Sequence, residues 1–380
     1  MPYLCAFNRI MLRLYITLLL AMLGIQSVAQ EGLGYYYDYY NHFYVFDHGK
    51  NIQLESNPVD SIRAGNDYLA YISQGGDLKV YYNGEVITIE ENIPNEMIAS
   101  ANALVYKMQK RLMIFERGEK QELSPWAQNY SVSDNMVTWQ EVTNLNIMTY
   151  QNGEIKTIES GFSVKAINAN KTSKNVFAYS DMNNEFKVFF NNEVFDSQLN
   201  NIRNFKCGLN TVAFLDRFNN AFIVFYDGAY YTLSDRLPKS YTVADNAVFY
   251  TDANDNLMLY YAGKLVQLET FLPSFQRTKD NIIAYYNDPE LKVVYAGQKI
   301  TLDKFSGQPN LILGPNSALY LDNNNRPKYF YKGKLYENFL NEPVRELYLY
   351  RDLPFFKYGN NTVGFYYEGK MYEFEGSRDR

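Results

Sequence analysis

The chain has 380 residues, 36 basic against 42 acidic, a formal charge of −6, 47% hydrophobic residues and only two cysteines. This balance lacks the basic footprint of a nucleic-acid binder, and the cysteine count excludes a disulfide-built scaffold. The apolar content and length are ample for a large packed core.

The first 30 residues contain no acid, carry Arg9 and Arg13, and run into LYITLLLAMLGI, an apolar stretch too short for an ordinary membrane anchor. This is the pattern of a secretory leader, with SVAQ placing cleavage near Ala29 and Met11 offering an internal start. No cysteine stands at the cleavage site, which argues against lipid attachment. The expected organisation is a leader over 1–30 and one domain over 31–380. That domain would keep 34 basic and 42 acidic residues, a charge of −8, and would hold Cys207 but not Cys5, so it has no internal disulfide. No later segment resembles a transmembrane run, and with EGSRDR directly after the last hairpin no appended sorting, anchoring or catalytic domain is expected.

From residue 31 onward one phrase recurs. LKVYYNGEVITIE (78–90) returns as LKVVYAGQKITLD (291–303), and shorter versions such as FYVFDHG, LMIFERG, FIVFYDG and LMLYYAG stand between and around them. Their turn residues are Gly49, Gly84, Gly118, Gly153, Asn192, Gly228, Gly263, Gly297, Gly333 and Gly369, spaced 34 to 39 residues apart. Gly or Asn suits a tight hairpin with positive φ. A second register has the same period: Asn102, Asn135, Asn175, Asn210, Asn246, Asn281 and Asn316 each precede an aromatic residue by four positions. Each unit therefore reads as a Pro-bearing loop, a short strand such as SFQRTK, a turn at Asn, strand IIAYY, turn NDPE, strand LKVVY, turn AG and strand KITL.

Four short strands per 35-residue unit resemble the blades of β-propellers, although WD, Kelch and Asp-box signatures are absent. Runs such as FIVFY are apolar without alternation, as strands covered on both faces would be. The first and last units are as aromatic as the middle ones, which suits a closed ring better than a solenoid with polar caps. The expected fold is all-β, a single propeller of about ten repeats, with eight to ten blades. The Tyr- and Asn-rich composition also resembles envelope proteins of Bacteroidota-type Gram-negative bacteria.

Chemistry-bearing motifs are few. His42 and His48 could share one face of the first hairpin, but no third ligand completes a metal site. A serine or cysteine hydrolase would need its base from this same pair, while Cys207 falls in the expected inner strand FKCG, so nucleophilic catalysis is disfavoured. The turns starting at Asp181, Asp252 and Asp322 echo calcium loops yet lack the sixth-position Gly and the terminal Glu, and Asp and Asn are ordinary turn residues. No metal, no cofactor and no catalytic residue is assigned. Most aromatic residues occupy repeat-fixed slots and read as packing, Trp139 among them. Trp126, Phe271, Phe305 and Phe339 lie in inter-blade loops, on the face that would also carry the Asp252 and Asp322 turns. These six are the candidate binding residues. The resulting reading is an exported, monomeric, non-catalytic binding or scaffold propeller with an envelope protein as partner, in the periplasm or at the outer membrane. The alternative is a glycan-binding or carboxylate-dependent glycan-acting propeller.

Overall fold

The structure, a computed structural model, describes residues 30–160, 171–181, 183–202, 204–359 and 361–377. The expected leader, residues 1–29 at least, lies outside them. Residues Glu31–Arg380 form one compact unit. Among the described residues it is built from ten antiparallel sheets. We number them as blades 1 to 10, covering residues 33–55, 60–90, 96–124, 127–159, 171–200, 205–234, 240–269, 275–304, 311–336 and 344–375.

Blade 8 shows how the sequence makes a blade. Phe275–Lys279, Ile282–Asn287, Glu290–Tyr295 and Gln298–Lys304 pair in that order, matching the strands SFQRTK, IIAYY, LKVVY and KITL. On its second strand Ile282, Ala284 and Tyr286 pack toward blade 9, while Ile283 and Tyr285 pack toward blade 7. Both faces are buried, which is why the strand carries no polar alternation. First strands of successive blades touch one another around a central channel, and fourth strands form the rim.

The hydrophobic core is divided among the seams between blades. Ten clusters correspond to ten seams, including one that joins Tyr36 and Phe46 of blade 1 to Leu353, Phe355 and Phe365 of blade 10. Phe46 and Phe365 stack at 4.5 Å. The ring is closed, and the number of blades is ten.

The hairpin glycines do what the spacing demands. Nine of them, from Gly49 to Gly369, have φ between 75° and 88°, and the residue before each is also at positive φ, as at Asn83, Ala262 and Lys332. Two consecutive positive φ values define the type I′ turn that suits twisted hairpins. In blades 1 to 8 the outer strand then slips register by a bulge, for example between Leu78 and Lys79 and between Leu291 and Lys292. The bulge adds twist and fans the blades.

Nine blades show the expected four strands, and the described residues of blade 1 contribute three, Leu33–Tyr37, Phe43–Asp47 and Lys50–Glu55. Because its Gly49 turn corresponds to Gly84 of blade 2, the strand it lacks among the described residues is the inner one.

Candidate functional site

Strand order fixes two unlike faces. The chain leaves the first strand at one end of the channel, so turns between first and second strands and between third and fourth strands share that face. Second-to-third turns and the loops between blades emerge on the other. Contacts confirm the second grouping: Ala127 N–H donates to Lys110 O at 3.2 Å, and Phe305 N–H donates to Pro289 O at 2.7 Å.

The first face is built for cohesion. The asparagine register noted in the sequence forms a belt there. Asn102 Nδ2 donates to Asn135, Asn175 to Asn210, Asn210 to Asn246, Asn281 to Asn316, and Asn316 to Asp352, over 2.5–3.1 Å. Inside the belt, charges cross the channel. Lys174 of blade 5 pairs with Asp245 of blade 7 and with Asp280 of blade 8 at 3.1 Å, while Arg351 of blade 10 reaches Glu31 at 3.3 Å. Burial pushes the Asp245 and Glu31 carboxyls up, against the opposing pull of Lys174 and Arg351. The group is an ionic cross-tie, with both cations already engaged.

The second face is different. Of the large apolar side chains exposed among the described residues, those in turns or loops are Tyr40, Ile93, Trp126, Leu145, Phe218, Phe271 and Leu272. All seven belong to second-to-third turns or inter-blade loops, and therefore to this one face. The other exposed apolar side chains lie on strands at the rim or channel. Phe218 is 96% exposed. It stands at an open cleft of about 890 Å³ lined by Leu199, Ile202, Leu215 and Arg217.

The six candidate residues divide three ways. Trp126 (41% exposed) and Phe271 (40%) present surface on the apolar face, and the Lys110 ammonium sits 3.9 Å above the Trp126 ring, a cation–π contact. Phe305 and Phe339 do not present their rings as expected. Phe305 is buried in the seam of blades 8 and 9 against Tyr320, and Phe339 stacks on Tyr366 at 4.3 Å. The loops that carry them dip inward to seal the seams. Asp252 and Asp322 lie on the face but spend their carboxylates on their own turns. Asp252 accepts from Asn254 N–H, Asn256 N–H and Asn256 Nδ2, and Asp322 accepts from Asn324 and Arg326 N–H, all at 2.8–2.9 Å. Burial alone would raise the Asp252 carboxyl, yet the Asn256 and Asn254 bonds outweigh it and hold the carboxyl below its ordinary value. Asp38, Asp181 and Asp216 make equivalent turns. The calcium echo is thus an Asx-turn repeated around the ring.

Reading the sequence missed Phe218, Tyr40 and Leu272. The signal for the first two was an aromatic two residues after a turn Asp, in DRF and DYY, where the other turns carry Asn. The histidine pair is also placed differently from expectation. His42 precedes and His48 follows the strand Phe43–Asp47, so they sit at opposite ends of it, each beside its own carboxylate, Asp38 at 2.9 Å and Asp47 at 2.5 Å. Among the described residues no three His, Cys, Asp or Glu side chains are grouped to hold a metal, and no helix is long and apolar enough to cross a membrane.

Comparison with solved structures returns loose likenesses. The computationally designed Ika8 protein is 16% identical, with 71% of this chain and 95% of that chain covered and a TM-score of 0.32. Hsv2p of Kluyveromyces lactis is 12% identical over 72% of this chain and 93% of its own, at 0.32. PorZ, an essential surface component of the type-IX secretion system of Porphyromonas gingivalis, is 10% identical over 84% of this chain and 52% of its own, at 0.30. Similarity at that level bears on no functional argument. Among curated proteins none matches. A family model described as the 10-bladed beta propeller domain matches residues 27–372, and with ten blades counted in the structure, the chain belongs to that family.

Proposed function

We propose that this propeller is an exported, non-catalytic binding or scaffold module that engages an envelope protein through the face bearing its inter-blade loops. The observation that carries the reading is the one-sided distribution of exposed rings. Tyr40, Trp126, Phe218 and Phe271 all project from loops of that face, and the hairpin turns of the opposite face project no large apolar side chain among the described residues. Aromatic anchors among polar turns are the composition of a protein interface core and rim. The leader-like first 30 residues support export, and export with a Gram-negative cast of composition supports the periplasm or outer membrane as the place of action. The expected working form is a monomer that recruits a partner.

A photo-crosslinking amino acid at Phe218 or Phe271 tests this in the native envelope. The expected result is one adduct common to both positions and absent from a probe at Asn152, in a hairpin turn of the opposite face. Equal labelling from both faces, or turnover of a polysaccharide panel by the purified protein, would reject the reading.

A further inference from the structure

The cleft beside Phe218 has a volume of about 890 Å³, at the seam of blades 5 and 6 on the loop face. Three cavities on the hairpin face are only about 200–270 Å³, whereas clefts that hold small ligands span about 300–1,000 Å³. Its origin is local. Phe305 and Phe339 fold into the seams of blades 8–9 and 9–10, but the loop after blade 5 sends only Ile202 into its seam and no ring. Blade 5 also has the longest outer strand among the described residues, Glu193–Asn200, and Asn201 N–H fastens its end to Asn184 O at 2.9 Å. The cleft is left open between that end and the Asp216 turn of blade 6.

Amides make its walls. Gln198, Asn200, Asn201 and Asn204 stand on the blade 5 side and Asn219 on the blade 6 side. On the hairpin face the asparagines are spent on one another, as between Asn175 and Asn210 and between Asn281 and Asn316. Here Asn219 Nδ2 donates to Asp216 at 2.6 Å, but the side-chain amides of Gln198, Asn200, Asn201 and Asn204 are exposed and bond to no group among the described residues. The charged groups lining the cleft among the described residues are Asp216 and Arg217, of opposite sign. Asp216 is already taken up by its turn, accepting from Phe218 N–H at 3.0 Å and Asn219 N–H at 3.2 Å. Leu199, Ile202 and Leu215 supply the apolar surface, and the Phe218 ring stands beside it in solvent.

One ligand chemistry matches this set. A hydroxyl both donates and accepts, and a neutral amide does the same with two N–H donors and one carbonyl acceptor, so idle amides can answer neighbouring hydroxyls. A pyranose ring adds an apolar C–H face that can lie on an exposed aromatic ring. An anion would meet one guanidinium beside a carboxylate, and a wholly apolar ligand would strip water from four amides without replacing it. We propose that the cleft binds a neutral oligosaccharide, with the Phe218 ring under a sugar face and the amides of Asn200, Asn201 and Asn204 on its hydroxyls. This ligand is additional to the envelope protein, and the proposal does not depend on the partner-binding reading, although both use Phe218.

Calorimetric titration and saturation-transfer NMR with cellohexaose, maltohexaose, mannohexaose and xylohexaose, each up to millimolar concentration, test it on the full-length protein. At least one of these sugars should bind, with saturation passing into its ring C–H protons. Phe218→Ala should weaken that binding at least about tenfold, and so should the double variant Asn200→Ala, Asn204→Ala. These two asparagines are chosen because Gln198 and Asn201 hold positive φ, 59° and 61°, where alanine would be strained. Both altered proteins should melt with the parent, since the side chains removed are exposed, and Leu265→Ala on the rim of blade 7 should bind as the parent does. Binding of none of the four sugars, or equal binding by the parent, Phe218→Ala and the double variant, would overturn the proposal. So would a preference for polygalacturonate that Arg217→Ala abolishes, because that outcome makes the cleft an anion site. No protein partner enters these titrations, so their failure leaves the partner reading standing, and a failed crosslink leaves this one.

Discussion

The Tyr285 hydroxyl donates to Glu269 Oε1 at 3.0 Å, a bond from the second strand of blade 8 back to the outer strand of blade 7. Lys292 and Lys299 reach the same carboxylate, at 2.9 Å and 3.2 Å. The arrangement recurs with Tyr71, Lys79 and Glu55, and with Tyr179, Lys187 and Glu159. This explains why the chain writes one phrase twice. In LKVYYNGEVITIE, Lys79 closes the seam behind, and Glu90 accepts from Tyr106 of the next blade at 2.9 Å. In LKVVYAGQKITLD, Lys292 does the first job, and Asp303 accepts from Lys328 at 2.7 Å. Each phrase carries the cation of one seam and the acid of the next.

Removing that acid should therefore weaken a seam. Burial alone would raise the Glu269 carboxyl, but hydrogen bonds from Lys292, Tyr285 and Lys299 outweigh it and hold the carboxyl below its ordinary 4.5. A carboxyl lowered in the folded state contributes stability above its unfolded value, and that contribution is lost as pH falls through the lowered folded value. Glu269→Gln should cost about 1.5–3 kcal/mol at neutral pH, the range for a hydrogen bond to a charged group. The difference from the parent protein should shrink below pH 4.5, as calorimetry at stepped pH would show.

How far the fold was legible follows from where the signal lay. The period, the strand order within a unit and the turn glycines could be read because each hairpin needs positive φ at a fixed place, and ten repeats of a local demand are visible in one sequence. The asparagine register could be read as turns, but its belt could not, because Asn175 and Asn210 meet across a seam and nothing local to either encodes the other. Exposure was the weakest inference. Phe305 and Phe271 occupy similar loops after Gly297 and Gly263, and only packing against Tyr320 separates a buried ring from an exposed one.

Asn210 is a two-sided member of the belt, accepting from Asn175, donating to Asn246 and holding φ at 55°. Asn210→Ala should lose about 1 kcal/mol for each hydrogen bond and about a further 1–2 kcal/mol for placing a Cβ in the left-handed region. Asn210→Gly removes the same side-chain bonds without that conformational cost, so it should be the milder change. Urea melts that ranked the glycine variant as the more damaged would remove the belt as a source of stability.

The Asp252 turn should be indifferent to calcium. Its carboxylate already accepts three hydrogen bonds from Asn254 and Asn256, and a ligand that binds only the folded state would betray itself by raising the melting temperature. Chelator and millimolar calcium should give superimposable melts, while Asp252→Ala should lower stability by about 1–2 kcal/mol through the lost charged hydrogen bonds. A calcium-dependent shift that Asp252→Ala abolishes would restore a metal role to this turn.

The two tryptophans separate packing from recognition. Trp139 is 1% exposed in the seam of blades 3 and 4, in the slot four residues after Asn135, and its indole N–H donates to Glu141 at 2.9 Å. Trp139→Ala should leave a large cavity and cost about 3–5 kcal/mol. Trp126 lies on the loop face with Lys110 above one side of its ring, so Trp126→Ala forfeits chiefly that contact, about 0.5–1 kcal/mol at an exposed site. If the loop face is the docking surface, Trp126→Ala should nevertheless weaken capture of the crosslinked partner by at least about tenfold, as truncating an interface aromatic does. Thermal melts and partner titration on the same two proteins distinguish the roles. A Trp126→Ala protein with wild-type capture would move the docking surface toward Phe218 and Tyr40, and one that failed to fold would mean the loop between blades 3 and 4 is structural.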